Sequence, residues 1–116
     1  MKFSLKRKEI KLVIEGEDGN DRNYTLREIT GRDRDKFTTK LASKTKYDSS
    51  GKAIGIVDTT GLFPELLSMS LFDEKDVLVD FKVCELFPAE MQQELFEVSQ
   101  RLSGLTKESE TKAGND

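Results

Sequence analysis

Glu9-Ile10-Lys11-Leu12-Val13-Ile14-Glu15-Gly16-Glu17-Asp18-Gly19-Asn20-Asp21-Arg22-Asn23-Tyr24-Thr25-Leu26-Arg27-Glu28 is the stretch that decides the fold class. Ile10, Leu12 and Ile14 alternate with Lys11, Val13 and Glu15, and Tyr24 and Leu26 alternate with Thr25 and Arg27. A strand points successive side chains to opposite faces, so a period of two is a strand signal. Between the two runs, Asp18-Gly19 tolerates positive φ and closes a tight turn. Residues 9–15 and 22–28 are therefore expected to pair as an antiparallel hairpin. A lone hairpin is not stable in water, so its apolar face must rest on other elements. The rest of the chain offers helices. The expected class is α+β, with an N-terminal β-hairpin packed on a mainly α-helical small domain.

C-terminal to the hairpin, Thr30 followed by Asp33 resembles a capping box and predicts a helix over about 31–44. Its apolar face is thin, with Phe37, Leu41 and Ala42, as suits a surface helix lying against the hairpin. Residues 45–59 read as a loop. Tyr47-Asp48-Ser49-Ser50-Gly51-Lys52 is turn chemistry, and Ile54, Ile56 and Val57 offer a short extended piece. From Thr60 to Phe72 apolar residues fall on nearly every side, with Pro64 placed for a first helical turn and Thr60 for a cap. A helix of that kind is buried at the centre of a domain or covers a partner. Asp73–Asp76 predicts a turn, Val77–Val79 a brief strand or helix entry, and residues 80–86 a short helix.

The periodicity is clearest from Pro88 to Ser103. Met91, Leu95, Val98 and Leu102 recur at i, i+4, i+7 and i+11, with Ala89 and Phe96 beside them. Pro88 suits the first helical position, Glu90 and Arg101 suit the helix dipole, and Ser103-Gly104-Leu105 suits a glycine C-cap. From Thr106 to Asp116 no apolar residue is larger than Ala113. One domain over 1–105 and a disordered polar tail over 106–116 are expected.

Composition narrows the function. The 116 residues are 35% hydrophobic and 35% charged, enough for one modest core under a heavily charged surface. No run of about 18 apolar residues occurs, and Lys2, Lys6, Arg7 and Lys8 interrupt any secretory apolar segment. Cys84 is the one cysteine, so a reducing cytoplasmic setting is expected. There is no histidine, which removes the commonest general base and metal ligand. A lone cysteine between Val83 and Leu86 reads as a buried thiol, and Asp58-Thr59-Thr60-Gly61 is half of an aspartic-protease loop at most. No phosphate loop, dinucleotide fingerprint or calcium loop is present. The chain is therefore expected not to be an enzyme, with no catalytic residues, no cofactor and no metal. Residues 1–40 carry 11 basic and 8 acidic side chains and residues 41–105 carry 6 and 11, too weak a basic excess for a nucleic-acid binder. No membrane partner is expected either.

What remains is binding through apolar surface. Leu62, Phe63, Leu66, Leu67, Met69, Met91, Leu95 and Phe96 are the candidate partner-binding residues, the methionines being adaptable contacts. The same side chains would equally pack together as core. Self-association is left open.

One family matches the order of these segments. Leu66-Leu67-Ser68-Met69-Ser70-Leu71-Phe72-Asp73-Glu74, then Val77-Leu78-Val79, then Leu86-Phe87-Pro88-Ala89-Glu90-Met91-Gln92-Gln93-Glu94-Leu95-Phe96-Glu97, and finally Ser99-Gln100-Arg101-Leu102-Ser103-Gly104-Leu105, resemble the tail assembly chaperones of long-tailed bacteriophages and prophages. Tyr47-Asp48 through Gly51-Lys52 is similar to that family's variable loop. The resemblance covers about residues 25–105 and contains no catalytic motif. It implies a non-enzymatic role in the bacterial host cytoplasm. The protein would bind the tape measure protein, keep it soluble, hand it to tail tube protein, and be absent from the finished virion. It also implies that a longer frameshifted product could join at the polar tail. Two other readings stand beside it: a small structural tail completion or connector protein, and a nucleic-acid-binding regulator using Lys6, Arg7, Lys8, Arg32 and Arg34.

Overall fold

The computed structural model describes residues 1–56 and 59–105. It contains both strands and helices, and the class is α+β. Val57, Asp58 and the polar tail, about which the sequence raised expectations, lie outside the described residues.

β1 (Glu9–Glu15) and β2 (Asp21–Arg27) pair antiparallel, with Ile10 opposite Leu26, Leu12 opposite Tyr24 and Ile14 opposite Arg22. Opposed residues share a face, so Ile10, Leu12, Tyr24 and Leu26 line the helix side. Gly19 at φ 82° makes the turn, and the Gly16 N–H donates to the Asn20 carbonyl at 2.9 Å. The Asp18 carboxylate accepts from the Asn20 N–H at 3.1 Å and from both Arg22 guanidinium nitrogens at 3.2 and 2.7 Å.

Helix α1 (Gly31–Ser43) starts as its cap predicts, the Thr30 hydroxyl accepting from the Asp33 N–H at 3.2 Å. Its position differs from expectation. Phe37, its one buried residue, inserts among Ile29, Leu62, Leu66, Met69 and Phe96, so α1 leans on the central helix rather than on the hairpin. Ala42 is exposed. Within the stretch expected to be loop, the turn at 47–52 and the extended piece at Ile54 and Ile56 are present, and Thr45–Tyr47 is a strand as well. β3 (Thr45–Tyr47) and β4 (Ala53–Ile56) form a small antiparallel ribbon with a register shift at Lys46/Tyr47. Asp48 organises its turn by accepting from the N–H groups of Ser50 and Lys52, both at 2.9 Å, while Gly51 supplies φ 86°.

Helix α2 (Leu62–Ser70) is capped by Gly61 at φ 78°, not by Thr60, because the chain must turn through the left-handed region before Leu62. Pro64 fits the first turn, where its missing N–H is not required. Six of its nine residues are buried: Leu62, Pro64, Leu66, Leu67, Met69 and Ser70. The helix stops two residues earlier than the apolar run suggests. Leu71 and Phe72 extend as β5 and pair with Leu26 and Thr25, so β2 gains a second neighbour and the sheet order is β1-β2-β5. The Asp73 carboxylate then accepts from the N–H groups of Lys75 at 2.8 Å and Val77 at 3.1 Å, and Asp76 takes φ 64°. This turn brings Leu78 back opposite Phe72 and lets the Val79 N–H donate to the Leu71 carbonyl at 2.9 Å.

Helix α3 (Phe81–Glu85) leads through Pro88 into α4 (Ala89–Leu102), where Pro88 is the N-cap rather than the first helical residue. The C-terminus closes as a full Schellman motif. Gly104, at φ 71°, donates its N–H to Arg101 at 3.2 Å, and the Leu105 N–H donates to Gln100 at 2.8 Å. Leu105 then packs on the core beside Leu41 and Phe63.

The core has two lobes, and α2 feeds both. Leu62, Leu66 and Met69 face Ile29, Phe37 and Phe96, while Leu67 with the adjoining Leu71 faces Leu26, Val79 and Cys84. Leu67 is fully buried and Leu86 is 83% exposed. Leu67→Ala is therefore expected to lower the unfolding free energy by about 3 kcal/mol in urea titrations, and Leu86→Ala to change it by less than about 0.5 kcal/mol.

The exposed turn gives a second test. Arg22, aided by the Asn20 N–H, holds the Asp18 carboxyl well below the usual carboxylate range. A depressed carboxylate supports the fold above that range and loses this support as pH falls through its own value. In an NMR titration Asp18 is expected to stay ionised well below the usual carboxylate range, and Arg22→Gln to move its midpoint back up toward that range.

Candidate functional site

The apolar face of the hairpin is wider than the helix that covers it. Helix α4 lies over β2, and Leu26 beneath it is 1% exposed. Ile10, on the same face of β1 and directly opposite Leu26, is 41% exposed. The strip between β1 and α4 is an open groove of about 410 Å³, walled on one side by Ile10, Leu12 and Ile14 and on the other by Met91, Leu95 and Val98. Its size is that of a small-ligand or peptide site. Glu15 and Glu94 stand at its margins, and Glu90 and Glu97 continue the acidic edge along the outer face of α4.

Helix α4 is held in this position from its other side. Ser70 and Ser99 are fully buried, and their hydroxyls meet at 2.7 Å between α2 and α4. The Ser70 hydroxyl lies 3.1 Å from the Leu66 carbonyl, to which it donates, so Ser99 donates in turn to Ser70. Two small side chains let the helices approach closely, and mutual hydrogen bonding removes the cost of burying them. Phe96 stacks on Phe63 with centroids 4.3 Å apart and contacts Phe37 at 6.2 Å. Phe96 and Ser99 thus direct one face of α4 inward. Met91, Leu95 and Val98, the stripe read from the sequence, stay half-buried toward the hairpin.

This sorts the eight candidate partner residues. Leu62, Leu66, Leu67, Met69 and Phe96 are buried, so in this fold they form core and present nothing to a partner. Phe63 is half-buried under Phe96. Met91 and Leu95 line the groove. Sequence reasoning missed the other wall: Ile10, Leu12 and Ile14 were assigned wholly to the hairpin's contact with helices. The number of apolar residues on β1 was the available signal, since one helix cannot cover two full strands.

Several other charged groups among the described residues are engaged locally. The Arg27 guanidinium lies 4.4 Å from the Phe72 ring and bridges Glu9 at 3.1 Å and Asp76 at 2.6 Å. Arg7 also lies over Phe72, at 5.4 Å, and Arg34 pairs with Asp35 at 3.2 Å, so two of the five basic residues named for nucleic acid have protein partners. Lys40 bonds Glu65 at 3.0 Å, tying α1 to α2. Among the described residues no group of three or more Cys, Asp or Glu could hold a metal ion, and no helix is long and apolar enough to cross a membrane. Compared with family models, curated proteins and solved structures, the chain matches none of them.

Cys84 is fully buried in the second core lobe, 3.9 Å from the Val79 carbonyl. Burial, reinforced by the nearby Asp80 carboxylate, pushes its thiol up to about 12. At neutral pH it is protonated and enclosed, a poor nucleophile on both counts. Ellman's reagent is expected to label Cys84 at least about a hundredfold more slowly in the native protein than in denaturant.

Proposed function

We propose that this chain is a protein-binding module that assists bacteriophage tail assembly, holding apolar helical stretches of the tape measure protein until tail tube protein takes over, with no chemistry of its own. The observation that carries the binding half is the open apolar groove between β1 and α4. An amphipathic helix laid there would contact Ile10, Leu12 and Ile14 on one flank and Met91, Leu95 and Val98 on the other, a helix-in-groove arrangement. Each such contact is weak and reversible, and a long client is held by many copies acting together. The tail-assembly half rests on the resemblance of segment order from Leu66 to Leu105. The proposed site of action is the bacterial cytoplasm.

Co-expression with the tape measure protein of the same genome tests the reading. The soluble fraction of the client is expected to rise several-fold. Ile10→Glu, at a position already open to solvent, is expected to remove that gain while leaving the variant's own thermal melt within a few degrees of the parent. An unchanged client in the presence of the parent chain would reject the tail-assembly reading.

A further inference from the structure

Helix α4 carries a second stripe beside its apolar one. Glu90, Glu94, Glu97 and Arg101 each stand one residue ahead of Met91, Leu95, Val98 and Leu102 and recur at the same i, i+4, i+7 and i+11. One residue is about 100° of helix turn. With Phe96 and Ser99 buried toward α2 and the apolar stripe toward the hairpin, the charged stripe falls on the flank turned away from α2. That flank looks onto the uncovered strip above β1. All four charged residues are exposed. Glu94 reaches the lining of the groove itself and Glu15 stands on the β1 side, and the lining holds these two carboxylates and no base.

These acids are not neutralised from within. The ion pairs of the described residues engage Asp18, Glu9, Asp76, Asp35 and Glu65, and none of them reaches Glu15, Glu90, Glu94 or Glu97. Glu97 accepts from the Gln93 amide at 3.3 Å, a neutral donor. Like charges at i, i+4 on a helix repel. A cationic partner on this flank relieves that repulsion, and an anionic one adds to it.

We propose that the groove selects amphipathic helices with a basic flank. The client's apolar stripe rests on Ile10, Leu12 and Ile14, and lysines or arginines along one edge of that stripe meet Glu90, Glu94 and Glu97. Two helices lying side by side share the same rise per residue, so the client's bases take the i, i+4, i+7 spacing of the glutamates. Arg101 ends the acidic run, so the basic flank covers two turns, about 10 Å. Apolar burial holds the client whatever its flank, and the charges decide which client is held. This inference rests on the reading of the groove as a helix-binding surface and adds the charge of what binds there.

The test uses a helical peptide of about 18 residues with a leucine stripe, made with lysine, glutamine or glutamate at the flanking positions. Fluorescence anisotropy with the full chain is read at about 50 mM and about 500 mM salt. At low salt the lysine form is expected to bind about tenfold tighter than the glutamine form and the glutamate form more weakly than either. At high salt the gap is expected to shrink to about twofold. Glu94→Lys/Glu97→Lys, altered only at exposed positions, is expected to reverse the order of the three forms. Ile10→Asn, a neutral change in the floor of the groove, is expected to weaken all three by at least about fivefold.

Equal binding of the three forms at low salt, all weakened by Ile10→Asn, would overturn the basic flank and leave the groove reading standing. Binding of none of them would overturn both. A lysine form that binds as well to Ile10→Asn as to the parent would also overturn the proposal, since the attraction would then lie outside the groove. So would a peptide-free chain that sediments as a dimer and becomes a monomer on Ile10→Asn, since a second copy would then occupy the groove.

Discussion

Helix α2 is nine residues long and apolar on both flanks, and a helix of that length has little stability without cover. The placement of α1, β2, α3 and α4 follows from supplying that cover. On one flank, Leu62, Leu66 and Met69 are enclosed by Phe37 of α1, Ile29, and Phe96 of α4. On the other, Leu67 and the adjoining Leu71 are enclosed by Leu26 of β2, Val79, and Cys84 of α3. Where α2 ends, Ser70 meets Ser99 and fixes α4 at close range. A helix held that tightly against α2 reaches over β2 and goes no further. The uncovered face of β1 is the consequence, and so is the groove.

The hairpin is tied on the face turned away from α4. Arg27 joins β1 through Glu9 and the turn after β5 through Asp76, and lies on the ring of Phe72 between them. Single exposed ion pairs contribute little, but a guanidinium with two carboxylates and an aromatic face is a more constrained arrangement. The groove therefore has two separately anchored walls. That is the condition for a binding surface to persist when empty.

Much of this was legible in the sequence where a single period dominates. The alternation of Ile10, Leu12 and Ile14 located β1, and the recurrence of Met91, Leu95, Val98 and Leu102 located α4. Thr30 with Asp33 placed the start of α1. Legibility failed where two periods fit the same residues. Leu71 and Phe72 continue an apolar run that reads as helix, and only the vacant edge of β2, a long-range fact, draws them into a strand. Of the small ribbon, the turn at Asp48 and Gly51 and the extended Ile54 and Ile56 were legible, while β3 was not, because Thr45-Lys46-Tyr47 is too short to show a period. The candidate partner residues divided for a related reason. An all-round apolar helix such as α2 carries the same pattern whether it is core or contact surface, and only the positions of its neighbours decide. Met91 and Leu95 came out at the groove because α4, unlike α2, has a second face to turn inward.

The central claim is that the space between β1 and α4 is where this protein takes up apolar segments of other chains. Methyl NMR of the full chain, followed as client is added, addresses it at the level of single side chains. Shift changes are expected to concentrate at Ile10, Leu12, Ile14, Met91, Leu95 and Val98, with the core methyls of Leu62, Leu66 and Leu67 unmoved. Binding that shifts other surface methyls and leaves the groove silent would contradict it.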